Sequence, residues 1–267
     1  MMYFLCMIVF LVGAVFGSPP WGSKTATAGT VAEMVLVQGG VLRPFYPPTP
    51  EDKEIPVKSF YIDKMPVTNE SYLNFVKKNP VWQKDKVKKI FSDKYYLSHW
   101  ASPVSLKNSD QKKQPVTYVS WFAAKAYCEA AGKRLPTEYE WEYAGQASLE
   151  KQDASQDLEW RKKLLDVYSR PVAKRVAPVG SESPNYYGVF DMHTLVWEWV
   201  SDFNGSLLRV DSREGNDADK MKFCGASALD AIETEDYPSF IRMAYRSSLK
   251  ASYSTAFLGF RCAKNGD

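Results

Sequence analysis

The sequence predicts one mixed helical and stranded domain with few regular strands, short helices and much irregular structure, and three observations carry that expectation. The 267 residues are 45% hydrophobic and 14% aromatic, enough for one large core. Helical periodicities come in short runs, each closed by glycine or by Asn-Pro. Beyond Pro178 the chain is rich in glycine, aromatic and turn residues, with only brief apolar runs.

The elements follow in order. Residues 2–16, MYFLCMIVFLVGAVF, form an uninterrupted apolar run before Gly17, Ser18, Pro19 and Pro20, so residues 1–17 read as a secretory signal peptide. If left uncleaved, that segment is the chain's expected membrane contact. The protein is therefore expected to be exported, periplasmic or secreted. Residues 18–33 form a small polar linker, and 34–267 the folded domain. MVLVQGG, from Met34, reads as a short strand ending in a Gly-Gly turn. Thr68 caps a helix with Tyr72, Phe75 and Val76 on one face, stopped by Asn79-Pro80. Ser120 caps a second helix, Trp121 to Ala131, whose inner stripe is Phe122, Ala123, Ala126, Tyr127 and Ala130, with Gly132 at its end. After Pro136, Thr137 and Glu140 have capping-box spacing, and that third helix ends at Gly145. Residues 147–175 are highly charged and read as an insertion holding an amphipathic helix, with Trp160, Leu164 and Val167 on one face.

Composition also excludes some functions. A net charge of +3 with scattered basic residues gives no electrostatic reason for a nucleic-acid partner. Without the leader three cysteines remain, Cys128, Cys224 and Cys262, in an oxidising compartment. One disulfide and one free thiol are expected, and spacing alone leaves the choice open.

Four ordered blocks carry a resemblance: YIDKMPVTNESYLNFV (61–76), PVTYVSWFAAKAYCEAAGKRLPTEYEWEYAG (115–145), APVGS with PNYYGVFDM and VWEWVSDF (177–203), and LGFRCA (258–263). Together they resemble the formylglycine-generating enzyme, or sulfatase-modifying factor, family. The resemblance implies a compact α+β domain of C-type-lectin-like fold. It also implies the structural disulfide Cys128–Cys262, whose loop would stabilise the domain by roughly 4 to 5 kcal/mol. A second bridge of some family members would join the positions of Gly145 and Met243, and both halves are missing.

The family's reaction oxidises a substrate cysteine with two copper(I)-binding cysteines that follow a Gly-Gly-Ser segment. Here that segment is Gly225-Ala226-Ser227, and no cysteine occurs between Ser227 and Cys262. Asp230 falls near the first thiol position and Pro238 at the second. Formylglycine generation by that mechanism is therefore not expected. The resemblance places Trp199, Ser227, Asp230 and the odd thiol Cys224 at or beside the substrate groove. Trp197 and Phe260 are read as core residues.

Two metals enter as expectations. The family binds calcium through backbone carbonyls and the glutamate matching Glu198; the residue reading instead pairs Glu198 with an arginine. Copper would have to use Cys224 with His193, and Met221 or Met243 as further donors. On general grounds, however, a lone cysteine beside glycine is a small buried residue and a lone histidine a hydrogen-bonded one. Only His99 and His193 occur, too few for the three-histidine iron site of the ergothioneine-forming relatives.

DMH-x-LVWEWV, FCGAS and RMAYRSSLKA look like a branch without the cysteine pair, encoded beside copper nitrite reductases. The expected function is thus an envelope accessory or maturation protein supporting a denitrification system. Its groove would hold a protein, peptide or small organic substrate, with an exported copper enzyme as partner. The alternative is a periplasmic oxidoreductase working without the cysteine pair or through a metal.

Overall fold

The computed structural model describes residues 33–44, 53–170, 177–204 and 237–266. The expected signal peptide, nearly all of the linker, and Met221, Cys224, Ser227 and Asp230 lie outside them. The fold is α+β. Strands β1 (Met34–Val37), β4 (Phe60–Asp63) and β7 (Ala263–Asn265) form an antiparallel sheet in the order β1-β4-β7. Strands β2 (Gly40–Leu42) and β3 (Ile55–Val57) form an antiparallel pair, and the two-residue strands β5 (Trp197–Glu198) and β6 (Leu258–Gly259) pair in parallel.

β4 is the central strand, and its alternation shows why. Phe60 and Ile62 point into the core, Phe60 in register with Val37 of β1 and Ile62 with Ala263 of β7. Asp63 breaks the pattern, being buried as well. Its carboxylate pairs with Lys133 and accepts the Cys262 N–H, which makes that burial tolerable. The expected strand from Met34 is present. At Gly39 a side chain would collide with the Val57 carbonyl oxygen at 2.5 Å, so the chain can pass the β3–β4 corner only as glycine.

Four of the helices begin as their caps dictate. α1 (Asn69–Lys78) starts where Thr68 accepts the Ser71 N–H, and it buries Tyr72, Phe75 and Val76. α2 (Trp121–Ala130) starts where Ser120 accepts the Ala123 N–H. Its buried face is Ala123, Ala124 and Cys128, a correction to the expected stripe. Ala130 runs past the core to solvent in the last turn, while Phe122, Ala126 and Tyr127 are half-buried. Small residues let this helix approach the core closely, and Cys128 is bonded there to Cys262.

α3 (Glu138–Gly145) carries the complete capping box of Thr137 and Glu140, and Glu140 also receives a two-pronged ion pair from Arg134. Thr137→Ala should lower unfolding free energy by about 1 kcal/mol in urea titration. An unchanged midpoint would show that the cap is redundant with the ion pair.

α4 (Leu158–Ser169) is the helix expected in the charged stretch, capped by Asp157. It buries Leu164, half-buries Trp160, Val167 and Tyr168, and packs against α5 (Tyr237–Ser247). Among the described residues, no helix is long and apolar enough to cross a membrane.

Candidate functional site

α3, α4, α5 and the segment 192–197 meet around a cavity of about 360 Å³. Trp141 of α3, Tyr168 of α4, Arg242 and Arg246 of α5, His193 and Trp197 are among its walls. α3 and α5 face each other through matched charges. Glu138 and Glu142 lie one turn apart, as do Arg242 and Arg246. Glu142 receives Arg242 at 2.6 Å and Arg246 at 2.6 Å, while Glu138 receives Arg246 at 3.3 Å. Burial would raise the Glu142 carboxyl, but the two guanidiniums outweigh it and hold it at about 2. Trp141 completes the layer, its ring 4.6 Å from the Arg246 guanidinium carbon.

His193 sits in an aromatic surround, its ring 5.6 Å from Trp141 and 5.9 Å from Trp160. Nε2 lies 2.7 Å from the Gly145 carbonyl oxygen, which can only accept, so Nε2 carries the proton. Nδ1 is then the acceptor of the Tyr168 hydroxyl at 3.0 Å. Both ring nitrogens are thus engaged, and a copper ion at His193 would have to break one of these bonds. The position of Gly145 matters here: a side chain on it would come within 3.4 Å of the histidine ring.

Burial, then the Arg242 charge, depress the His193 pKa to about 3. The Gly145 bond and Glu142 oppose that shift, and Arg246 adds to it. An unfolded histidine takes up its proton near 6.5, so the unfolded state binds more protons between these values. Stability is therefore present above 6.5 and falls as pH drops through 6.5 toward 3, by up to about 1.4 kcal/mol per unit. His99, lowered by burial to about 4, has the same sign. Urea unfolding across pH 4 to 7 should show His193→Gln with a shallower slope than wild type. Parallel slopes would mean that the imidazole is not kept neutral.

Glu198 reaches the wall of the same cavity but is held by a separate network. Arg261, fully buried, donates Nε at 2.8 Å and Nη2 at 2.8 Å to the Glu198 carboxylate, and Trp141 Nε1 donates at 2.7 Å. The remaining Arg261 donors reach the carbonyls of Asp63, Lys64 and Phe190. Both carboxylate oxygens are taken and a guanidinium stands against them, so Glu198 does not fit a calcium ligand. Among the described residues, no group of three or more His, Cys, Asp and Glu side chains could hold a metal.

The two tryptophans of VWEWV exchange the expected places. Trp199 is fully buried and donates Nε1 to the Val119 carbonyl. Trp197 is half-buried on the cavity wall, its ring 4.3 Å from Tyr245. Both follow from where the chain leaves β5: Trp197 lies within the strand, whereas Trp199, just past it, turns into the core beside Phe203. Phe260 is core, as expected. Pro238 is buried at the start of α5. Tyr168, Arg242 and Arg246 were not singled out from the sequence, although matched like-charge pairs four apart, Glu138 with Glu142 and Arg242 with Arg246, were visible in it.

The model of the sulfatase-modifying factor enzyme 1-like domain matches residues 22–266. The chain belongs to the sulfatase-modifying factor family. A formylglycine-generating enzyme of Streptomyces coelicolor is 31% identical over 190 residues, covering 64% of this chain and 59% of that enzyme's length. The inactive C-alpha-formylglycine-generating enzyme 2 of Bos taurus is 28% identical over 247 residues, covering 79% of each. The crystal structure of CarF superposes with a TM-score of 0.50 at 17% identity, covering 89% of this chain and 99% of that one. That likeness is one of fold. Within the sulfatase-modifying factor family, this chain combines the shared frame with a sequence that has no cysteine from Gly225 to Arg261.

Proposed function

We propose that this protein is an exported accessory or maturation factor of the cell envelope, which uses the cavity beside Trp197 to hold a group of its substrate or partner without oxidising a cysteine to formylglycine. The observation that carries the reading is that no cysteine occurs in 225–261, where the resemblance expects the two thiols; Pro238, matched to the second of them, is buried. Two neighbouring thiolates are what would bind copper(I) in the family's reaction. Without them the family's frame still provides a walled cavity with aromatic and guanidinium groups, suited to binding.

Export is supported by the apolar run 2–16, and support of a copper nitrite reductase by the segments DMH, FCGAS and RMAYRSSLKA. A peptide carrying a sulfatase-type cysteine should show no formylglycine after incubation with the purified protein and copper, by mass spectrometry. Turnover above a metal-only control would overturn the reading. In cells, the protein should fractionate with the envelope and its deletion should lower nitrite reductase activity; unchanged activity would remove that partner.

A further inference from the structure

Arg242 keeps one donor without a well-aligned acceptor. Its Nε and Nη2 bind Glu142, and Nη2 also reaches Ser239. Nη1 is out of water's reach and has no acceptor in hydrogen-bond geometry; the Tyr168 hydroxyl, near enough to act on the guanidinium, is misaligned for it. The residue as a whole is only 5% exposed, at the wall of the cavity. An N–H of a charged group held dry without an acceptor is costly to keep, and the cost is recovered by whatever acceptor reaches it.

Tyr168 is what covers this guanidinium. The Arg242 guanidinium carbon lies 5.3 Å from the Tyr168 ring centroid, and the tyrosine favours the charged guanidinium both by its polarity and by a weak hydrogen-bonding approach of its hydroxyl. The tyrosine hydroxyl is held in place by a bond to His193 Nδ1 at 3.0 Å. The ring also meets Trp197, at 5.5 Å. Rotation of this one side chain, at the cost of its bond to His193 and its ring contacts with Arg242 and Trp197, would open Arg242 Nη1 to the cavity and leave Trp197 as an aromatic wall beside it.

We propose that Arg242 anchors a binding site for a monocarboxylate with a flat apolar body, and that Tyr168 is its displaceable cover. This rests on the reading of the cavity as the protein's binding centre. The donor on offer selects a single acceptor group: Nη1 is the one Arg242 nitrogen left over, since Nε and Nη2 are taken by Glu142, and that fits one carboxylate oxygen better than the several of a dianion. Size selects a small body. A cavity of about 360 Å³ stands at the lower end of ligand pockets, enough for one small molecule or one side chain. Trp197, packed on Tyr245, offers it a fixed ring face.

Calorimetric titration with phenylacetate, with 2-phenylethanol as the neutral comparison and sulfate as the dianion, tests the site on the full-length protein. Tyr168→Phe keeps the ring and removes its tie to His193, and should bind phenylacetate about fivefold tighter than wild type. Arg242→Gln should lose at least about tenfold. Should that variant fail to fold, the preference of Tyr168→Phe for the acid over the alcohol, about tenfold, tests the same contact. Equal binding of acid and alcohol, sulfate binding as tight as phenylacetate, or no gain in Tyr168→Phe would each overturn the proposal. The accessory reading is judged separately, by the peptide assay and the deletion, so a failed carboxylate titration beside an intact partner phenotype sinks the site and leaves that reading standing.

Discussion

Reduction of the Cys128–Cys262 bridge is expected to lower the unfolding free energy by about 5 kcal/mol, the entropic value for a loop of this length. The two cysteines are 134 residues apart in sequence, and both are fully buried. Opening the bridge therefore frees half the chain in the unfolded state, while the folded state keeps its packing. Urea unfolding of the oxidised protein and of Cys128→Ala/Cys262→Ala, with slopes compared, reads the difference. A change below about 1 kcal/mol would mean that the folded frame alone already restricts the denatured chain.

Arg261→Ala is expected to cost about 3 to 5 kcal/mol and to leave little folded protein at 37 °C. The residue is fully buried and donates to the Glu198 carboxylate and to three backbone carbonyls from two segments. Truncation strands a buried carboxylate as well as opening a cavity. The double variant Arg261→Met/Glu198→Leu separates the two effects, since it removes both charges while filling the space. It should recover a substantial part of the loss in thermal unfolding. If Arg261→Ala alone costs less than about 1 kcal/mol, the pair is hydrated and the account of Glu198 as a structural residue fails.

Much of the frame was legible because it is written in local signals. Caps at Thr68, Ser120 and Thr137 each start the helix their side chains serve. The charged stretch yielded its helix because Trp160, Leu164 and Val167 keep the 3.6-residue period. The cavity was harder to read. Glu142 and Arg242 are one hundred positions apart, and nothing local says that their helices face each other. Trp197 and Trp199 have the same chemistry and are two residues apart, so only their long-range neighbours, Tyr245 for one and Val119 for the other, decide which lines the cavity. His193 was legible as a candidate by residue type, but the carbonyl and hydroxyl that occupy its ring nitrogens come from positions 145 and 168.

The central position of β4 also governs when the domain can form. Its two neighbours in the sheet begin at Met34 and Ala263, so the strand made early in synthesis waits for the last described strand before its second edge is covered. Cys128 and Glu198 wait equally for Cys262 and Arg261. Until residues 258–265 emerge, Phe60 and Ile62 lie on a sheet with one open edge, and no earlier fragment holds a closed core. Assembly is therefore expected to be late, slow and dependent on contacts distant in sequence, with the nascent chain exposed to aggregation for most of its synthesis. A ribosome-bound series of growing chains should remain protease-sensitive until that last strand clears the exit tunnel, then gain protection in one step.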